Sequence, residues 1–250
     1  MAGRLADAPK CIKSAPQNVC FGWKADTCSR VRLTHMLPFT RQQFFDVFAA
    51  YNAANWPAAV LAYPLAVVAL VVAWRGNASA GRVVAIILAI MWGWVGLVYQ
   101  GVYFSQINPI AWAFAGVFVL QAGLFAVHAA TARGLDFGPR SRLRAVAGAS
   151  MVVYAMLVYP LIGLAMGERY PAMPLFGVAP CPLLIFTFGL MLWASCARWW
   201  LWIIPLLWSA IGGSAFIILS VPQDWALPAS GLAALLIMRF DRKAAQPAGR

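Results

Sequence analysis

The side chains able to do chemistry fall in three short stretches of an otherwise apolar chain. The densest is Gly167-Glu-Arg-Tyr-Pro-Ala-Met-Pro-Leu-Phe-Gly-Val-Ala-Pro-Cys-Pro-Leu-Leu-Ile-Phe-Thr-Phe-Gly189, which carries Glu168, Arg169, Tyr170, Cys181 and Thr187. A carboxylate, a guanidinium, a phenol, a thiol and a hydroxyl together offer charge and hydrogen bonds to a small ligand. Prolines at 171, 174, 180 and 182 forbid a continuous helix through it. The stretch is therefore expected to be stiff and extended, and loops of defined shape often carry function. A rigid cap, with Glu168 and Arg169 merely neighbours at the water, is the competing reading.

The second stretch holds Tyr99, Gln100 and Tyr103 one helical turn apart, with Asn108 opening the next helix. The third is Gln223 with Asp224. With the first, these form a candidate ligand-binding set lining a polar cavity, although interfacial anchoring explains the tyrosines equally well. As nucleophile, soft-metal ligand or redox partner, Cys181 would need a base or further ligands. The one histidine after Met36, His128, falls near the far end of another apolar run, so Cys181 is read as a structural thiol. No catalytic residue, metal site or cofactor is assigned. Gln121 lies in mid-run and is expected to bond across helices, and Gly163-x-x-x-Gly167 and Ile211-Gly-Gly-Ser-Ala215 to let helices pack closely.

The elements that must position these groups follow from composition. Of 250 residues 63% are hydrophobic and 10% charged, with a mean hydropathy of +0.76. A soluble domain is usually about half apolar and about a quarter charged. The apolar runs approach the roughly 20 residues a helix needs to cross a bilayer, where helices satisfy their own backbone. The expected fold is an all-α integral membrane bundle of about seven transmembrane helices, at 56–74, 83–104, 110–131, 146–166, 183–197, 201–221 and 225–238. The last run has only fourteen clear apolar residues, short for a crossing. An N-terminal amphipathic helix from Thr40 to about Ala54 precedes them, opened by the capping box Thr40-x-x-Gln43 and expected to lie in the interface.

Basic loops alternate with nearly neutral ones, which places the C-terminus in the cytoplasm and the N-terminus outside. The net charge of +12 is therefore matched to anionic headgroups of the lipid bilayer, not to nucleic acid. Residues 1–35 form an atypical leader with six of the nineteen Lys and Arg, and translation is expected to start at Met36. The membrane domain spans 36–243, followed by a cytoplasmic tail at 244–250. One internal echo joins the first and fourth runs: Leu61-Ala-Tyr-Pro-Leu and Leu157-Val-Tyr-Pro-Leu, the pattern of a weak inverted repeat.

From Met36 to about Lys243 the chain resembles an uncharacterised bacterial multi-pass membrane family, the domain of unknown function 6064 group. The resemblance rests on Phe44-Phe45, Tyr51-Asn52, Trp56-Pro57, Ile107-Asn108-Pro109, Tyr170-Pro171-Ala172-Met173-Pro174, Pro180-Cys181-Pro182, Phe186-Thr187-Phe188-Gly189 and Val221-Pro222-Gln223-Asp224. It implies a plasma-membrane protein and carries over no catalytic residue. The broken segment and the echo favour a small-molecule permease or transporter-like protein, with a membrane sensor or accessory subunit as the alternative. A membrane-embedded enzyme ranks third, because no base, metal cluster or nucleophile pair shares one face.

Overall fold

Thr40 starts the first helix as its sequence predicts. Its hydroxyl accepts from the Gln43 N–H at 3.2 Å, and the Gln43 side chain accepts from the Thr40 N–H at 2.8 Å. In the computed structural model, which describes residues 38–245 apart from 77–78, 132–134, 138–140, 195–196 and 214–216, helix α1 runs Arg41–Arg75. The expectations for the leader and for the end of the tail lie outside the described residues.

The expected interfacial helix and first span are two halves of α1, joined at a kink where Asn55 leaves helical geometry (φ −124°, ψ 28°). Pro57, two residues on, has no N–H to bond the preceding turn, and its ring crowds it. The Asn55 amide compensates by donating to the Tyr51 carbonyl at 3.0 Å and the Tyr103 hydroxyl at 3.1 Å. The first half does not offer its aromatic face to lipid. Phe44, Phe45, Phe48 and Tyr51 are buried, with Phe48 stacked on Tyr99 at 4.9 Å and Phe44 edge-on to Phe104 at 6.3 Å. The second half buries only Ala62, Ala66, Ala69 and Ala73, a small-residue stripe that allows close helix approach.

Helix α2 covers Ala80–Gln106, α3 Ala111–Ala130, α4 Arg142–Ala165, α5 Pro180–Trp193, α6 Trp200–Gly212 and α7 Ala226–Ala245, the last led by a 3-10 turn at Pro222–Trp225. Among the described residues there is no strand, only an isolated bridge between Arg169 and Ala172. Four of the helices, α1 to α4, are long and apolar enough to cross a membrane. Helix α5 begins at Pro180, not 183, because proline is tolerated in a first turn that needs no N–H. It ends at Trp193, and α6 stops at Gly212, both short of their expected limits.

Helix α5 is the core of the bundle. Every residue from Pro182 to Leu192 is buried, and α1, α2, α4, α6 and α7 all pack on it. A helix apolar all round belongs inside. Its C-terminal carbonyls are held by Arg144, which donates to Leu192 at 2.9 Å and Ala194 at 2.6 Å. Trp92 of α2 donates to the Thr187 hydroxyl at 3.0 Å, and Thr187 donates to Leu183 at 2.8 Å. Gln121 of α3 donates to the Leu201 carbonyl at 3.1 Å, the helix-to-helix bond its position predicts.

The loops gather at two ends. At one, Gly76 and Gly81 lie so close to Phe137 and Leu135 that a Cβ would reach their carbonyl oxygens at 2.5 and 1.6 Å. His128 and Trp200 meet at this end, 6.0 Å apart. At the other end the segment 166–179 folds over the first half of α1 and the turn at 219–225.

Candidate functional site

The second end is built by the way α4 stops. Gly167 takes φ +91°, the Gly167 N–H bonds Leu164 at 3.2 Å, and the Glu168 N–H reaches back to Gly163 at 2.9 Å. This is a Schellman termination, and it turns the Glu168 side chain in over the helix it has just left. A Cβ on Gly163 would lie 2.7 Å from the Glu168 carboxylate and 3.3 Å from the Gln223 amide. The Gly163-x-x-x-Gly167 pair is thus not a helix-packing motif: one glycine makes room for a carboxylate, the other reverses the chain.

The carboxylate is buried and accepts from Gln223 through both oxygens, at 3.0 and 2.9 Å. Gln223 sits on the 3-10 turn, whose backbone is held by the Tyr154 hydroxyl donating to the Gln223 carbonyl at 2.9 Å. The next residue, Asp224, is 2% exposed. It accepts from the Tyr159 hydroxyl at 2.5 Å and from the Cys181 thiol at the first turn of α5. Three elements therefore converge on Asp224: the end of α4, the start of α5 and the turn before α7.

Burial sets the electrostatics. Loss of water pushes Asp224 up to about 7, against hydrogen bonds from Tyr159 and Cys181 that pull it down, and the Glu168 charge adds to the rise. Glu168 is raised for the same first reason, offset by the Gln223 amide and the positive charge of Arg41. Arg41 is fixed nearby, donating to the Leu219 carbonyl at 2.9 Å with its guanidinium 4.7 Å from the Phe45 ring centre. At neutral pH the site carries an acid poised to gain or lose a proton.

An aromatic and amide wall closes the site towards α1 and α2. Tyr51 donates to the Val178 carbonyl at 3.1 Å and accepts from Trp94 at 2.8 Å, and Asn52 donates to Pro171 and Met173, both at 2.7 Å. Gly177, at φ +76°, lets the loop touch α1, since a Cβ there would meet Ala62 at 2.5 Å. Tyr99 lies within electrostatic reach of Cys181 and Asp224 and packs edge-on to Tyr51 at 5.4 Å. Both α2 and α4 are wound as π-helix here, at Val95–Tyr103 and Tyr154–Val158. Such segments recur at functional sites because they re-aim side chains and loosen the backbone ladder. Gln100, inside the first, is fully buried with neither amide atom partnered, and the Gln223 oxygen is likewise unpartnered.

Of the residues singled out by sequence, Glu168, Cys181, Asp224 and Tyr99 come together. Tyr103 joins through its ring contact with Tyr51 and its bond from Asn55. Tyr170 lies on the rim, its hydroxyl donating to the Asn52 carbonyl at 3.3 Å. Arg169 is exposed and does not pair with the Glu168 carboxylate; it donates to the carbonyls of Leu164 at 2.7 Å and Glu168 at 2.9 Å, closing the end of α4. Asn108 turns its oxygen to the Ile110 N–H at 3.3 Å and serves the loop before α3. Thr187 holds Trp92, deeper in α5 than the cluster. His128 stands at the opposite end of the bundle, against Trp200.

Sequence reasoning missed Tyr159, Tyr154, Tyr51, Asn52, Trp94 and Arg41. Tyr159 was signalled by the internal echo, but its counterpart Tyr63 does a different job, donating to the Met156 carbonyl in the π segment at 3.1 Å. Among curated proteins and solved structures no match was found. The model of a family of unknown function, DUF6064, matches residues 41–248, all of the described helices and the whole of this site, and the chain belongs to that family.

Proposed function

We propose that this chain is a multi-pass plasma-membrane protein of bacterial type that acts as a proton-linked, small-molecule permease, with Asp224 as its proton-accepting group. Two observations support the membrane part. The outward faces of α1 to α4 are apolar, with Leu61, Leu97, Leu120 and Leu161 all more than half exposed, which water would penalise and lipid would not. Arg75, Arg82, Arg142, Arg144, Arg198 and Arg239 belong to one end of the bundle, and Glu168 and Asp224 to the other. By the positive-inside rule the arginine end is cytoplasmic and the acid site faces outwards.

The observation that carries the transport reading is Asp224 itself, a carboxyl buried among Tyr159, Cys181 and Glu168 and raised to about 7. Buried ionisable groups in membrane bundles mark ion and substrate pathways. Acids, amides and tyrosine rings together suit a small amine or amino acid, held by charge and by cation–π contact. Proteoliposomes loaded with a pH dye and given a panel of small amines and amino acids test it. At least one solute should drive a change in internal pH with wild type and not with Asp224→Asn. No response to any solute, or an equal response in the variant, would sink the reading. A proton-sensing accessory subunit is the second reading, favoured by the way Glu168 and Asp224 are bonded to neighbours within the site.

A further inference from the structure

At the arginine end a groove of about 230 Å³ runs between α6 and α7. Trp202 and Leu206 form one wall and Leu235 and Met238 the other, with Trp199 and Arg239 at the end nearest the basic loops. Everything lining it is apolar except Arg239, which is exposed. Ile203 lines it too, and the surfaces beside it are apolar: Leu207 on α6 and Leu232 and Leu236 on α7 stand out from the bundle.

We propose that this groove binds one acyl chain of an anionic phospholipid, whose phosphate is held by Arg239. The inference rests on the membrane reading above and is independent of transport. A groove of about 230 Å³ has room for several methylenes of one chain. A guanidinium fits a phosphate through paired hydrogen bonds. The sequence continues past Arg239 with Arg242 and Lys243. That excess of positive charge selects a net-negative headgroup over a zwitterionic one. A tryptophan at the polar end suits the headgroup level of a bilayer.

The test uses the full chain, purified in a neutral detergent and stripped of lipid. Phosphatidylglycerol, phosphatidylcholine and glycerol phosphate are added in turn, and bound lipid is counted by native mass spectrometry beside the thermal midpoint. Phosphatidylglycerol should bind one per chain and raise the midpoint more than phosphatidylcholine does, while glycerol phosphate does nothing. In Arg239→Gln that binding should weaken about tenfold, the loss of one charge-assisted pair. Leu206→Trp, which fills the groove, should abolish it without lowering the lipid-free midpoint. Equal binding of the two lipids, unchanged binding in either variant, or a full effect from glycerol phosphate would overturn the proposal. A chain that purifies in buffer without detergent would instead overturn the membrane reading, so the two failures are distinct.

Discussion

A carboxyl that holds its proton up to about 7 when folded and only to 3.8 when free makes stability depend on pH in a fixed direction. The folded state binds the extra proton throughout that window, so stability is greatest below 3.8 and falls as pH rises towards 7. At about 1.4 kcal/mol per unit, ionising buried Asp224 costs on the order of a few kcal/mol. Glu168 is raised too and acts in the same sense. The thermal midpoint in detergent should therefore fall by several degrees between about pH 5 and pH 8. Asp224→Asn should flatten that slope and match or exceed wild type at the alkaline end; an unchanged slope would show that another group controls it. Gly163→Ala should destabilise the same site. Its methyl would crowd the Glu168 carboxylate and push it off the Gln223 amide, at a cost of about 1–3 kcal/mol and a lower midpoint. An unshifted midpoint would contradict the packing described. Asp224, Glu168 and Cys181 were legible in the sequence as polar residues on stretches of one end. Their burial was not, since it depends on the Schellman turn and on Tyr159 and Gln223, whose types say nothing of where they point.

The elements divide in the same way. Apolar runs locate the seven helices named among the described residues, because length and hydropathy are local properties. Their limits and roles depend on tertiary contacts. Pro180 and Pro182 read as breakers but open α5, and Pro57 bends α1 without ending it. The aromatic face of the first half of α1 reads as membrane-seeking, yet Tyr99, Phe104 and the loop at 171–178 cover it. Neither π segment, at Val95–Tyr103 and Tyr154–Val158, has a signal in composition. The central place of α5 makes its C-terminus sensitive. Arg144→Ala would strip the carbonyls of Leu192 and Ala194 of their donor, at a cost of about 2–4 kcal/mol. Arg144→Lys, which cannot span both acceptors in one fork, should recover only part of the loss in midpoint. Full recovery by lysine would show that charge, not geometry, matters there.

At the scale of the molecule the bundle has two unlike ends, one basic and one holding buried acids, joined by helices whose outer faces are apolar. On the proposed orientation the acid site would face outwards and the groove between α6 and α7 would lie on the cytoplasmic side. The most direct test is the accessibility of one exposed residue from each end, Arg169→Cys and Arg82→Cys, to a membrane-impermeant maleimide, each read against the parent chain. In intact cells the Arg169→Cys chain should gain label, and the Arg82→Cys chain should gain it only once the membrane is opened. Labelling of Arg82→Cys in intact cells, or a chain recovered in the soluble fraction, would contradict an outward-facing acid site in a membrane bundle.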